Sequence, residues 1–339
     1  MKIYKKLFAA LIAICLFVSA FSGVSTAAAD TRTLEGNEIP DGYVVVSFEA
    51  FVLGYGYIIE PTYVPYTEGE SVADVTIRLL DEAGVEAVYS FGGFGFYLSG
   101  VASEKLANDT PINVPAYLAA ELINNYCYDE EDGWSNPENG DGILSEMEFT
   151  YYSGWMYTDN NASAPVGASE LKAESGHSYR WMYSIYGFGM DVGISDGFGM
   201  FPEFDNPAMG VDRDEAHALY AVCMDDIATN SLVSEGGACC DAFAEFEAII
   251  TDLASTQEDI DAAIAALEEA LLAAVVPGDT NCDGNVDIAD TIRAARHSLG
   301  IKLLRAVGAA AADYNADGNI DIDDVNLIAR ASLGLASND

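Results

Sequence analysis

Near the end of the chain one short sequence is written twice: Asp279-Thr-Asn-Cys-Asp-Gly-Asn-Val-Asp-Ile-Ala-Asp290 and Asp313-Tyr-Asn-Ala-Asp-Gly-Asn-Ile-Asp-Ile-Asp-Asp324. Both copies carry an oxygen-bearing side chain at positions one, three, five, nine and twelve, and glycine at position six. A hard cation such as Ca²⁺ takes about six to eight oxygen ligands, and a loop of this length surrounds it when alternate side chains point inward and glycine permits the sharp turn. The repeat therefore predicts two calcium loops.

The predicted ligands are side-chain oxygens, with the backbone carbonyl at position seven. In the first loop they are Asp279, Asn281, Asp283, Asn285, Asp287 and Asp290, and in the second Asp313, Asn315, Asp317, Asn319, Asp321 and Asp324. Without metal the carboxylates of each loop would repel one another, so metal binding should be coupled to folding. The alternative is a solvated acidic turn, which clusters of Asp, Asn and Gly often form. Two copies in matching register, each followed by an apolar helix, favour metal.

An ordinary EF-hand needs a helix on both sides of its loop. Here Val275-Val-Pro-Gly278 precedes the first loop and ends any helix before it, so each loop is predicted to have only an exiting helix. With these features residues 277–336 resemble a type I dockerin, the calcium-dependent module that attaches extracellular proteins to cohesin modules of a scaffold. One departure is Asp rather than Asn at position nine of both copies, which keeps an oxygen ligand.

The resemblance implies that cohesin is contacted by matching positions of the two copies, so that docking in either of two orientations is expected. Those positions are Ile288, Ala289, Ala295 and Arg296 in the first copy and Ile322, Asp323, Ala329 and Arg330 in the second. Four further apolar residues, Ile292, Leu299, Leu327 and Leu333, are interpreted as packing between the two helices.

The N-terminal residues 1–29 contain three lysines, an apolar run from Leu7 to Phe21 and a small-residue site at Ala27-Ala-Ala29. This pattern is typical of a secretory signal peptide. No other apolar run is long enough to span a bilayer. The expectation is a secreted protein, extracellular or held at a cell surface through a scaffold.

The chain is strongly acidic, with a formal net charge of −41. Phosphate contacts require a basic face, so nucleic acid and anionic membranes are excluded as main partners. Five cysteines follow the signal segment, at positions 127, 223, 239, 240 and 282, an odd number for an oxidising compartment. Cys223 is a candidate to bridge two helices with either Cys239 or Cys240, and spacing leaves the choice open.

Residues 43–193 are predicted to form an α+β unit. Strands are expected at 43–51, 57–64, 148–157 and 178–185, and helices at 71–83, ended by Gly84, and at 115–126. The residues Ser153-Gly-Trp-Met-Tyr157, Asn160-Asn161, Pro165-Val-Gly-Ala-Ser169, Leu171 and Gly176-His-Ser-Tyr-Arg-Trp-Met-Tyr183 resemble the transcobalamin-like β domain, a β-grasp-type module of bacterial surface proteins. The resemblance implies a β-grasp-like fold and, as one alternative, capture of a cobalamin-like small ligand.

No catalytic constellation is evident. The three histidines are His177, interpreted as a turn residue, and His217 and His297, both interpreted as solvated helix residues. With 55 acidic residues, no carboxylate pair can be singled out for glycoside hydrolysis. A carbohydrate-active hydrolase remains the alternative class, because most proteins that carry a dockerin are enzymes.

Aromatic residues are frequent in this unit, and exposed aromatic rings form sugar-binding surfaces and interfaces. The candidate ligand-binding residues are Trp134, Trp155 and Trp181. Core packing is the default for Trp155 and Trp181. Trp134, in a loop rich in Asp, Glu, Asn and Gly, is the candidate for an exposed platform.

Residues 210–275 are predicted to be a three-helix spacer, with helices at 212–229, 238–253 and 256–274 and a capping box from Ser255 to Glu258. The segment 253–272 is similar to the FIVAR repeat of bacterial surface proteins. The expected architecture is thus multidomain: a β-grasp-like α+β unit, a three-helix bundle and an all-α dockerin. The expected function is attachment of a non-catalytic, ligand- or carbohydrate-binding domain to a cohesin-bearing, cellulosome-type scaffold in polysaccharide breakdown.

Overall fold

The computed structural model describes residues 40–93, 95–108, 110–119, 141–195, 197–201, 204–302 and 304–335. The predicted signal peptide, Cys127 and Trp134 lie outside these residues. The fold is mixed α and β, with helices and two β-sheets. The chain divides into two compact units, whose described parts are residues 40–218 with Ile249–Ile260, and Leu219–Ala248 with residues 261–335. The three breaks between these described parts of the units, at 218/219, 248/249 and 260/261, each fall within a helix, whereas the sequence places domain boundaries near 193–210 and 275–277.

The strands of the first unit form a five-stranded sheet, in the order β2-β1-β8-β6-β7, and a three-stranded sheet, in the order β3-β4-β5. They are β1 (Gly42–Glu49), β2 (Tyr57–Tyr66), β3 (Ala87–Gly92), β4 (Gly95–Ala102), β5 (Ile143–Ser145), β6 (Gly154–Asp159), β7 (Ala162–Ser163) and β8 (Ser178–Ser184). The first strand pairs in parallel with the last, and the other pairs are antiparallel. Strands β1, β2 and β8 lie where the sequence predicts them.

Two predictions for the first unit need correction. The hairpin of β3 and β4 was not expected from the sequence. The predicted strand 148–157 begins only at Gly154, because the Ser153 hydroxyl accepts hydrogen bonds from the backbone N–H groups of Phe149 and Thr150 and turns the preceding segment. Of the predicted helix 115–126, residues 116–119 are described and are helical.

Helix α1 (Val72–Ala83) follows its prediction closely. Ser71 accepts a hydrogen bond from Asp74 N, the Asp74 carboxylate accepts one from Ser71 N, and Gly84 ends the helix at φ 66°. Its apolar face, which includes Val72, Val75, Leu79 and Leu80, is buried in the core of the unit. The unit also contains a short helix α2 (Glu104–Ala107) and two 3-10 turns (Phe51–Leu53 and Gly197–Gly199).

The remaining helices are α3 (Asp214–Asp225), α4 (Ile227–Val233), α5 (Cys240–Thr251), α6 (Gln257–Ala273), α7 (Ile288–Ser298), α8 (Ala306–Ala312) and α9 (Ile322–Ser332). The predicted helix 212–229 is two helices, because Asp226 accepts hydrogen bonds from Thr229 N and Oγ1 and starts a new helix. The capping box at α6 joins Thr256 and Asp259, one residue later than predicted. Helices α7 and α9 follow the two loops, as predicted.

Helix α8 was not predicted, and it corrects the expectation that neither loop has an entering helix, since it ends directly before Asp313. It consists of alanine, valine and glycine, and most of it is buried. A Cβ at Gly308 would lie 3.0 Å from the carbonyl oxygen of Thr280 and 3.4 Å from Ala228, so this helix packs closely on the first loop and on α4. Among the described residues, no helix combines the length and apolar character that crossing a bilayer requires.

Candidate functional site

The first acidic loop is folded by hydrogen bonds from its own backbone. The Asp279 carboxylate accepts from Asp283 N at 3.2 Å and from Gly284 N at 2.9 Å. Asp283 in turn accepts from Asn285 N at 2.9 Å. Gly284 lies at φ 87°, in the left-handed region that glycine reaches without strain. Position six of the repeat therefore makes the sharp turn that the sequence predicts.

The second loop repeats this arrangement. Asp313 accepts from Asp317 N at 3.1 Å and from Gly318 N at 3.0 Å, and Asp317 accepts from Asn319 N at 2.9 Å. Gly318 lies at φ 90°. The two copies thus agree in backbone conformation and in hydrogen-bond pattern as well as in sequence.

Positions nine and twelve join each loop to its exiting helix. The buried Asp290 carboxylate accepts from Thr280 N at 2.8 Å, near the beginning of the first loop, and from Asp287 N at 2.9 Å, at the N-cap of α7. Asp287 caps the same helix by accepting from Ala289 N at 2.7 Å. In the second copy, Asp321 and Asp324 cap α9 in the same way. The residues expected to hold the metal are therefore also those that fix the start of the helix.

Burial and like charge act together at position one of both loops. Burial raises the pKa of Asp279, and the neighbouring carboxylates of Asp290 and Asp283 raise it further. The pKa of Asp313 is raised in the same way by burial and by Asp324 and Asp317. A cation among these oxygens would remove this repulsion.

The residues present fit Ca²⁺ in the kind of donor that they supply. Each loop offers four carboxylates and an Asn side-chain oxygen on a wrapped backbone, and hard divalent cations prefer oxygen. Among the described residues, no three His, Cys, Asp or Glu side chains are already gathered as a set of metal ligands. The loop carboxylates instead accept backbone N–H groups, and a carboxylate has about four lone-pair sites, so such a hydrogen bond leaves capacity for a metal.

Matching apolar side chains stand at the surface of the two helices. Ile288 is 65% exposed at the start of α7, and Ile322 is 62% exposed at the start of α9. The other predicted contact residues vary: Ala289, Arg296 and Asp323 are exposed, whereas Ala295, Ala329 and Arg330 are half-buried. The two isoleucines thus occupy equivalent positions in the two copies.

The predicted packing of Ile292, Leu299 and Leu333 between the helices is wrong. Leu299 and Leu333 are 72% and 73% exposed, because they lie at the C-caps of α7 and α9, beyond the faces that pack together. Ile292 is also exposed, and Leu327 is half-buried. The core of this region consists of other apolar residues from the three helices and the turn before α8: Ala294, Leu304, Ala309, Ala312, Val325 and Ile328.

Trp155 and Trp181 lie in the core of the first unit. The Trp155 indole N–H donates to the carbonyl oxygen of Leu144 at 2.9 Å, and that of Trp181 to Thr76 Oγ1 at 3.0 Å. Both rings are buried, so neither can stack on a ligand at the surface, and the core interpretation is confirmed. The proposed platform at Trp134 lies outside the described residues.

Exposed aromatic rings occur instead on the hairpin of β3 and β4. Phe91 is 64% exposed and lies 5.6 Å from Phe96, and Tyr89, also exposed, lies 5.5 Å from the same ring. Tyr97 projects from the other face, where its hydroxyl donates to the Glu146 carboxylate. In the sequence these strands are indistinguishable from buried ones, and only the position of β3 at the edge of the three-stranded sheet accounts for the exposure of Tyr89 and Phe91.

A network of buried charged and polar side chains in the first unit was not anticipated. Arg180 donates from Nε and Nη2 to the two carboxylate oxygens of Glu49, at 2.9 and 2.8 Å. Burial acts to raise the pKa of Glu49, but the charge and the hydrogen bonds of Arg180 outweigh it, so the pKa is lowered. The His217 Nδ1 atom lies 3.6 Å from Glu49, and a hydrogen bond of 2.9 Å joins His217 Nε2 to the Tyr57 hydroxyl.

The structure corrects the interpretation of two histidines as solvated. His217 is fully buried, and burial lowers its pKa to about 3, so the ring is neutral. His297 is half-buried and accepts a hydrogen bond from Leu304 N at 2.8 Å. The Nδ1 atom of His177, directly before β8, lies 2.6 Å from the carboxylate of Asp159, the last residue of β6. Glu49, Arg180 and His217 are all buried, so their network has a structural role.

The chain was compared with known proteins. A scan against protein-family models gives no match, and a search of curated proteins gives none either.

Proposed function

We propose that this chain is an exported, non-catalytic docking protein that binds one Ca²⁺ in each C-terminal loop and then attaches through α7 and α9 to a cohesin module of a scaffold. In this role it carries its α+β unit into an extracellular assembly of the cellulosome type, in the setting of polysaccharide breakdown. The single observation that carries the proposal is that the aspartates expected to bind the metal also cap the helix that follows the loop. Asp290 accepts a hydrogen bond from Thr280 N near the start of the first loop, and Asp287 and Asp290 together cap the helix that presents Ile288.

Because the same aspartates have both roles, binding of a metal ion in the loop would affect the surface of the helix that follows it. An ion that draws the loop oxygens together also holds the first turn of the exiting helix, since the same carboxylates accept its backbone N–H groups. Ile288 and Ile322 are the first helical residues, so their orientation depends on that turn. Metal binding is thereby coupled to the apolar surface that a partner would contact.

The full chain should be tested for binding to immobilised type I cohesin modules, in calcium and in chelator. We expect retention in calcium and release in chelator. Replacing both Ile288 and Ile322 by Asp should abolish retention, whereas either single replacement should leave one docking orientation. A matched control is Ile227→Asp, another exposed isoleucine at the first position of a helix. Equal retention with and without calcium, or no retention by any cohesin tested, would overturn the proposal.

We also propose that the hairpin of β3 and β4 is a surface for a neutral polysaccharide. The support is the pair of exposed rings, Tyr89 and Phe91, on β3, which among the described residues is an edge strand of the three-stranded sheet. Aromatic faces with polar neighbours suit pyranose rings, which have both apolar faces and hydroxyl groups. The net charge of −41 disfavours polyanionic glycans by repulsion, so a neutral chain is the better ligand.

Retention of the full chain on insoluble cellulose and on neutral xylan tests this second role. The double replacement of Tyr89 and Phe91 by Ala should weaken retention roughly tenfold, the amount expected for losing stacking contacts of about 1.4 kcal/mol. Tyr151→Ala is a control, because this tyrosine is also strongly exposed but lies on another segment. No retention of the wild-type chain, or equal losses in both variants, would contradict a specific surface on the hairpin.

A further inference from the structure

Two buried cysteines of the helical unit lie on facing helices. Cys223 is on α3 and Cys239 directly precedes α5, and both side chains are almost fully buried. Cys240, the next residue, is half-buried. The sequence leaves open whether Cys223 pairs with Cys239 or with Cys240. The packing of α3 against α5 decides it.

Contacts along these helices fix their relative direction and register. The rings of Tyr220 and Phe243 lie 5.1 Å apart, and the Tyr220 hydroxyl donates to Glu247 at 3.0 Å. Nearer the start of α3, Arg213 Nε donates to the carbonyl oxygen of Ile250 at 3.2 Å. As the residue number rises on α3 it falls on α5, so the two helices are antiparallel.

This register brings the two cysteines together. Cys223 lies one helical turn after Tyr220, and Cys239 lies one turn before Phe243, and residues one turn apart share a helix face. Phe243 N donates to the Cys239 carbonyl oxygen at 2.9 Å, so Cys239 belongs to the first turn of α5. Cys240 lies about 100° further around that helix, which accounts for its exposure. Burial is the main cause that raises the pKa of Cys223, and electrostatic interaction with Cys239 raises this pKa further.

We propose that Cys223 and Cys239 form a disulfide that ties α3 to the start of α5. Both thiols are reduced in the structure described here. Each gives up its hydrogen as the S–S bond forms, and the two electrons reduce an external disulfide, such as oxidised glutathione or the disulfide of an oxidoreductase, to two thiols. One cysteine thiolate attacks that disulfide and releases the first thiol, and the other attacks the mixed disulfide and releases the second.

The bond should form while the chain folds. In the folded protein both thiols are buried, and burial raises the pKa of each, so little of the nucleophilic thiolate is present. The bond joins the end of one helix to the start of another and encloses the whole of α4. This arrangement distinguishes Cys223 and Cys239 from Cys240 and Cys282, which are both half-buried.

The test is disulfide mapping of the full chain refolded in a mixture of reduced and oxidised glutathione. After free thiols are alkylated, cleavage after Glu235 separates the two cysteines, and the remaining cross-link is identified by mass spectrometry without reduction. We expect one cross-link between the Cys223 peptide and the peptide that contains Cys239 and Cys240. It should persist in Cys240→Ser and disappear in Cys239→Ser and Cys223→Ala.

A cross-link that persists in Cys239→Ser and is lost in Cys240→Ser would overturn the assignment. So would a link from Cys223 to Cys127 or Cys282, or complete alkylation of Cys223 and Cys239 in the refolded wild-type chain. A second measurement does not depend on how the variants fold. The oxidised wild-type chain should unfold at a higher denaturant concentration than the same chain after reduction, and Cys240→Ser should keep that difference.

Discussion

Buried or clustered carboxylates occur in both units of this protein, and they are stabilised in opposite ways. In the α+β unit, Glu49 is buried against the guanidinium of Arg180, which holds its pKa below the usual value. In the C-terminal loops, Asp279 and Asp313 lie among other carboxylates, and their pKa values are raised. The buried Glu49 has its positive partner, Arg180, within the protein. Among the described residues, the loop aspartates have no such cation beside them and accept hydrogen bonds from backbone N–H groups instead.

We propose that the difference separates a carboxylate with a structural role, Glu49, from the loop carboxylates, which would bind a cation. A buried carboxylate with a built-in bidentate arginine is complete and needs nothing from the solvent. A loop that gathers four carboxylates gains stability from any cation that enters it. The comparison predicts that Glu49 matters to the stability of the chain in every buffer, whereas the loop aspartates matter chiefly when calcium is present.

Replacing Glu49 by Ala should have the largest effect, a loss of about 3–5 kcal/mol in the free energy of unfolding, because it leaves the buried Arg180 without its partner. Denaturant unfolding of the full chain measures it, and calcium should not change the loss. The matched control is Arg78→Ala, which removes a partly exposed ion pair with Glu70 and a hydrogen bond to the Pro65 carbonyl oxygen and should cost only about 1–2 kcal/mol. Similar losses of stability in the two variants would show that the buried Glu49–Arg180 pair is no more important to stability than the partly exposed Glu70–Arg78 pair.

Calcium should raise the free energy of unfolding of the wild-type chain by about 2.7 kcal/mol for each loop that unfolds with the measured transition, when the free ion is at 100 times its dissociation constant. Asp283→Ala should remove the contribution of the first loop and Asp317→Ala that of the second. Glu235→Ala, which removes an exposed carboxylate outside the loops, serves as the control. A calcium effect of equal size in all three variants would break the distinction between the two regions.

Within the α+β unit, the contributions of Asp191 and Glu49 to the free energy of unfolding should depend on pH in opposite directions. Burial raises the pKa of Asp191 to about 6, so the folded state binds its proton more tightly than the unfolded state does. The contribution of Asp191 is therefore most favourable below its ordinary pKa and is lost as the pH rises through about 6, by about 1–3 kcal/mol.

Glu49 behaves in the opposite sense, since its pKa is lowered in the folded state. Its stabilisation is present above the ordinary pKa of glutamate and is lost as the pH falls through the folded value. Unfolding curves of Asp191→Asn measured between pH 4 and pH 7 should show a smaller decline in stability on raising the pH than wild type. Part of the decline should remain, because burial also raises the pKa of Asp214 to about 6. An unchanged slope would show that Asp191 is not protonated in the folded protein in this range.

The smallest effect on stability is expected at the proposed docking surface. Ile288→Ser and Ile322→Ser should each change the free energy of unfolding by no more than about 0.5 kcal/mol, because both side chains are mostly exposed. Ile328→Ser, which alters a fully buried isoleucine of α9, is the contrasting control and should be strongly destabilising. A large loss at Ile288 would place it in the core and remove it from any docking surface.

Local signals in the sequence predicted the parts of the fold that depend on them. The twelve-residue spacing gave the loops their turn at Gly284 and Gly318, and Ser71 and Gly84 marked both ends of α1. In each case the residues that decide the structure are close in sequence. Capping and left-handed turns have strong residue preferences, so they are visible without a partner.

Features that depend on distant partners were missed. His217 follows a polar helix start, which suggests solvent, yet it is buried and bonded to Tyr57, from which 160 positions separate it. Helix α8 has no alternation of polar and apolar residues, because nearly all of it is buried. Leu299 and Leu333 have apolar side chains typical of packing, yet they lie past the ends of the packed faces. At these positions the burial of a residue depends on contacts with distant parts of the chain, which the local sequence pattern does not show.

Calorimetric titration of the full chain with calcium tests the central claim most directly. The account predicts saturation with two ions per wild-type chain, one in either Asp279→Ala or Asp313→Ala, and none in the chain that carries both replacements. Absence of binding by the wild-type chain at millimolar calcium, or undiminished binding by the doubly substituted chain, would contradict it.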